Sequence, residues 1–147
     1  MRGITKATRA KVVKEALTWV GTPYHDMACV KGVGVDCAML VFGIARELGL
    51  TDKKHEELPR YNPSMHVFNK SFLIDEVIAF GCVPVPLNKA EPGDILLFEF
   101  HNTIAHCGIK VSDTEVVHAV KRPGYVVKVE IAGNVEKTLK YAYRFPK

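Results

Sequence analysis

A cysteine acts as a nucleophile only as a thiolate, so the chemistry begins with whichever cysteine sits where negative charge is stabilised. Of Cys29, Cys37, Cys82 and Cys107, Cys37 has that setting. Asp36 is a good N-cap residue, and CAMLVFGIAREL followed by Gly49 reads as a helix that Cys37 opens. A helix start presents the positive end of the dipole and unpaired backbone N–H groups, which lower a thiol pKa and can hold a developing oxyanion. The preceding loop, GTPYHDMACVKGVGV, contains Gly21, Gly32 and Gly34, so backbone can approach a substrate closely there. Taken alone, Cys37 reads more simply as a small buried core residue, which is what most free cysteines are.

The histidines of AHCGIKVSDTEVVHAV change that balance. If Ser112, Asp113 and Thr114 form a three-residue turn, Val111 faces Glu115 and Gly108 faces His118. His106 and His118 then project from one face as diagonal neighbours, about 5 to 8 Å apart. A two-residue turn would put them on opposite faces. A histidine base needs a second polar group to fix its tautomer and orientation, and His118 can serve His106 in that way. Cys107 follows the proposed base, and strand alternation sends it to the opposite face, into the core. His25, His55, His66 and His101 read as surface or loop residues, with His25 beside Tyr24 at the edge of the site.

The elements that must hold these residues fall into two groups. Ala7, Ala10, Val13, Ala16, Leu17 and Val20 recur at helical spacing over residues 5 to 20, with Gly21 as a stop before Pro23. The helix opened by Cys37 is apolar nearly all round and is expected to be buried. Residues 49 to 63 are charged, contain two prolines and read as a surface excursion, and a third helix is expected from Ser64 to Ala79. Beyond Gly81 the period becomes that of strands: VPVPL, ILLFEF, AHCGIKV, TEVVHAV, YVVKVEI and YAYRF. Helices first and strands second predict an α+β domain, helices packed on a meandering antiparallel sheet.

Composition sets the outer limits. With 147 residues, 48% of them apolar and 24% charged, residues 1 to 147 are expected to form a single domain. No run approaches the roughly 18 to 20 consecutive apolar residues of a membrane span. The amino terminus lacks the h-region and cleavage site of a secretory signal, so synthesis in the cytoplasm is expected. A net charge of +4 is scattered rather than patched and predicts no nucleic-acid partner. No Cys-x-x-Cys or His-x-x-x-His spacing suggests a metal, free thiols are expected, and Gly32-Val33-Gly34 lacks the strand and third glycine of a nucleotide-binding turn.

Together, Gly21-Thr22-Pro23-Tyr24, Val35-Asp36-Cys37, Pro92-Gly93-Asp94-Ile95-Leu96, His106-Cys107-Gly108-Ile109 and Val117-His118-Ala119 resemble the NlpC-type cell-wall cysteine peptidases, which have a papain-like fold. The resemblance implies Cys37 as nucleophile, His106 as base and then acid, and His118 as the orienting third residue. It places Tyr24 near the oxyanion or substrate carbonyl and Asp36 at the pocket for the substrate's amino-terminal side. It implies no metal or organic cofactor, and a peptidoglycan stem peptide as substrate, cut between D-glutamate and meso-diaminopimelate or an equivalent diamino acid. The loop from His25-Asp26 to Val33-Gly34-Val35 looks most like members carried in phage tails, which implies tail-tip partners, a virion or related particle as carrier, and delivery to the wall. Ala38-Met39 departs from the Ser-Gly that many members have after the nucleophile. The rival readings are a catalytically silent tail-tip or assembly protein, and a papain-like acyltransferase or thioesterase.

Overall fold

The structure, a computed structural model, describes residues 2 to 59 and 72 to 147. Helix α1 (Lys6–Thr18) begins where Thr5 Oγ1 accepts the Thr8 N–H, and it buries Val12 and Ala16. Trp19, at its end, is 2% exposed. Helix α2 (Cys37–Glu47) starts at the Asp36 cap, as the sequence predicts, and buries Met39, Leu40, Phe42, Gly43, Ile44 and Ala45. Helix α3 covers Phe72–Ala79, and the expected start of this helix at Ser64 lies outside the described residues.

Between α1 and α2 the expected loop contains a short antiparallel hairpin, β1 (Cys29–Val30) with β2 (Gly34–Val35). The remaining strands are β3 (Val83–Val85), β4 (Ile95–Phe100), β5 (Thr103–Lys110), β6 (Glu115–Ala119), β7 (Val126–Glu130) and β8 (Leu139–Arg144). They form one six-stranded sheet in the order β3-β8-β4-β5-β6-β7, with every pairing antiparallel. The sheet is therefore a meander only from β4 to β7. The last strand returns to lie between β3 and β4, after a short helix α4 (Gly133–Thr138) that the sequence reading does not anticipate.

Both faces of the sheet are covered. Ile95, Leu97, Cys107, Ile109 and Val117 join the helices in the main core, while Leu96, Phe98, Val116 and Ala142 form a second cluster with Val135 of α4. Burial on two sides explains why ILLF is apolar without alternation. Asp94, fully buried at the start of β4, takes two 2.7 Å hydrogen bonds from Arg144 at the end of β8 and so fastens the returning strand. Among the described residues no helix is long and apolar enough to cross a membrane.

Candidate active site

The position of Cys37 is set by Asp36. Its two carboxylate oxygens accept the N–H of Met39, which caps α2, and the N–H of Met27, each at 2.8 Å. Met27 takes a left-handed φ of 63°, and its carbonyl accepts a 2.7 Å hydrogen bond from His55 Nε2. One buried carboxylate thus fixes both the start of the helix and the loop in front of it. Asp36 lines the cleft, and its oxygens are engaged with the backbone on either side of Cys37. His55, expected as a plain surface residue, helps pin the same loop.

The segment that carries Tyr24 is held on both sides. Tyr24 N–H donates to the Gly124 carbonyl at 2.8 Å and His25 N–H to the Val35 carbonyl at 3.1 Å, while Val35 N–H returns a bond to Pro23. Burial, followed by the negative charges of Cys37, Asp36 and Asp26, pushes the Tyr24 phenol far above its usual range. Its hydroxyl stays protonated and remains a donor.

On the sheet, Ile109 pairs with Val117 and Lys110 with Val116, and the Val111 N–H closes the turn onto the Glu115 carbonyl. This is the three-residue turn that brings His106 and His118 to one face. His106 Nε2 lies 2.8 Å from His118 Nδ1, and the ring centroids are 5.0 Å apart. The rings of Phe98 and Phe100 pack around His106, with centroids at 5.4 and 6.0 Å. Gly108 makes the close approach possible: a Cβ there would stand 2.8 Å from the Val117 carbonyl oxygen and 2.9 Å from His118 Cβ.

His118 is buried, and burial followed by the charge of His106 lowers its pKa to about 4. It is therefore neutral at physiological pH. A neutral His118 with Nδ1 as acceptor requires the proton of the 2.8 Å bond to come from His106 Nε2, which leaves Nδ1 of His106 for the thiol. Cys37 and His106 border the same cleft, and the Cys107 thiol donates to the Cys37 carbonyl with Sγ 3.3 Å from that oxygen. The Cys107 hydrogen bond, opposed by burial and reinforced by the hydrogen bond and charge of His106, holds the Cys37 thiol well below the ordinary thiol range. Its partner Cys107 is driven the other way by the same contact and by burial, so Cys107 keeps the proton.

These groups border a cleft of about 480 Å³, into which Tyr24, Asp26, Cys37, Phe100, His106 and Lys121 face. All four cysteines are free thiols. Among the described residues no group of three His, Cys, Asp or Glu side chains is arranged to hold a metal ion. Two features escape the sequence reading. His101 and Asn102 adopt left-handed φ values of 52° and 62° in the two-residue turn between β4 and β5, which carries His101 to the cleft rim. Cys107 lies against the backbone of Cys37, and strand alternation predicts only that it points into the core.

A thiol at the start of a buried helix, with two linked imidazoles on the facing sheet, defines a papain-like α+β site. Solved structures that share this architecture include NlpC/P60 domains. A Staphylococcus aureus protein described as similar to lipoprotein, of the NLP/P60 family, superposes with a TM-score of 0.70 at 17% identity, over 99% of this chain and 44% of that one. The NlpC/p60 domain of the peptidoglycan hydrolase SagA gives 0.65 at 16% identity, over 92% of this chain and 97% of that one. The peptidoglycan hydrolase RipB of Mycobacterium tuberculosis gives 0.62 at 17% identity, over 98% and 69%. The fold is thus that of NlpC/P60 domains. In sequence, proteins of Mycobacterium tuberculosis and Mycobacterium bovis named probable endopeptidase are 30% identical over 135 residues, 90% of this chain. The chain spans 29% of the length of those relatives. No family model matches the chain.

Proposed function

We propose that the chain is a cysteine endopeptidase acting on the stem peptides of peptidoglycan. The observation that carries this reading is Cys37 at the start of α2 beside His106, whose far nitrogen is held 2.8 Å from His118. The fold shared with peptidoglycan hydrolases and the relatives named endopeptidases support it. The thiolate of Cys37 attacks the amide carbonyl, and the oxyanion forms near the Cys37 N–H and the protonated Tyr24 hydroxyl. His106 transfers its Nδ1 proton to the leaving amine, and the C–N bond breaks to give a thioester. Water, deprotonated by His106, attacks the thioester, and the carboxylic acid leaves as the thiolate returns.

The bond we assign is that between D-glutamate and meso-diaminopimelate or an equivalent diamino acid. An acidic substrate of this kind fits a cleft with Lys121 on its rim. Carriage by a phage tail or related particle, in contact with tail-tip proteins, is the delivery route that we infer from the loop between His25 and Val35. Digestion of purified sacculi followed by mass spectrometry of the soluble fragments tests the activity and the bond together. The expected result is release, by the native protein, of peptides that begin with the diamino acid, the dipeptide stems staying on the uncut glycan, and no such release by Cys37→Ala. Equal release by both would overturn the reading.

A further inference from the structure

His106 and Cys107 are consecutive on β5 and take opposite roles around the same nucleophile. His106 turns towards His118 and the rings of Phe98 and Phe100, while Cys107 points between the sheet and α2. There the Cys107 thiol donates to the carbonyl oxygen of Cys37 with Sγ 3.3 Å from that oxygen, at 1% exposure. That carbonyl is the first of α2. Helix α2 packs on β5 along this line. A single dipeptide of β5 therefore supplies the base on one side and a clamp for the nucleophile's own backbone on the other.

We infer that Cys107 is a positioning residue of this site: its thiol fastens the first turn of α2 to β5, so that the Cys37 sulfur is presented to His106. The inference rests on the proposed role of Cys37 as nucleophile. A thiol is a weak donor but fits the narrow gap between β5 and the first carbonyl of α2. Without that bond the first turn of α2 shifts against β5 and the Cys37 sulfur loses its alignment with His106, so the thiolate loses more stabilisation than the thiol. The high pKa of Cys107 keeps its proton in place for this purpose.

The test follows the rate of iodoacetamide alkylation at Cys37 against pH by peptide mass spectrometry, with no substrate present. Cys107→Ala and the near-isosteric Cys107→Val, which both lack a donor, are expected to raise the midpoint by about one pH unit. Cys107→Ser, which restores a donor, is expected to stay within about a third of a unit of the native midpoint. On sacculi the donorless variants lose about tenfold in kcat at unchanged KM. Either donorless variant suffices if the other does not fold. A native midpoint in a folded donorless variant overturns the proposal, and so does a Cys107→Ser midpoint as high as that of Cys107→Ala. If the midpoints move as expected but the native protein releases nothing from sacculi, the peptidoglycan reading fails and the role of Cys107 stands.

Discussion

A buried histidine can orient a neighbour only while it is uncharged, and His118 meets that condition over most of the pH scale. Its pKa falls from 6.5 to about 4 because burial, and then the charge of His106, penalise the imidazolium. Between those values the unfolded chain binds a proton that the folded chain refuses. Stability must therefore rise with pH across this window, be fully present above about 6.5, and be lost as pH falls towards 4. The shift corresponds to about 3 kcal/mol for this one group. We expect urea denaturation midpoints measured from pH 4 to 7 to climb accordingly, and His118→Asn, which cannot titrate, to flatten the climb by that amount. A gradient unchanged in His118→Asn would mean that His118 is not neutral in the folded protein. The groups facing its ring are His106 and Phe98, so the native minus variant difference isolates this titration together with its coupling to His106.

At the scale of elements, the site depends on how closely two strands approach. The β5–β6 hairpin places two imidazoles on one face only because its turn has three residues, and it allows their 2.8 Å contact only because residue 108 has no side chain. A methyl group at that position meets the Val117 carbonyl, which belongs to the backbone of a central strand and cannot swing aside. Gly108→Ala is expected to push β6 away from β5, costing about 1 to 3 kcal/mol in stability. The same displacement separates the two rings, and a misplacement of that kind near the chemistry lowers kcat by about tenfold or more, with little change in KM. Steady-state kinetics on a soluble stem-peptide fragment would show it, and native kcat in a folded Gly108→Ala protein would refute it. Helix α2 presents the complementary case, in which Asp36 spends both oxygens on backbone N–H groups so that the helix start and the Met27 loop cannot move independently.

For the whole molecule, local signals such as caps and periods were readable in sequence because each depends on residues a few positions apart. Asp36 before an apolar run marked α2, whereas the length of the turn around Ser112, Asp113 and Thr114, which decides whether His106 meets His118, was open between two and three residues. What depends on distant residues was not readable. YAYRF declares a strand but not its neighbours, so the return of β8 between β3 and β4 could not be foreseen, and alternation sends Cys107 inward without saying that Cys37 waits there. The pair that secures β8 is Asp94, wholly buried, with Arg144, fifty residues later and partly exposed. Asp94 also accepts the Glu91 N–H at 2.9 Å, so its carboxylate is engaged on both oxygens. Arg144→Met removes the cation and leaves a buried charge with backbone alone to face it, which costs about 3 kcal/mol. In a chain of this size that lowers the melting temperature by roughly 6 to 12 °C. Adding Asp94→Asn removes the stranded charge while keeping an oxygen for the Glu91 N–H, so the double variant should melt above the single Arg144→Met variant. Neither residue borders the cleft, so kcat at 25 °C should remain within about twofold of native in both variants. A double variant that melts no higher than Arg144→Met would show that the arginine acts through packing of its stem over the end of β8 and not through its charge.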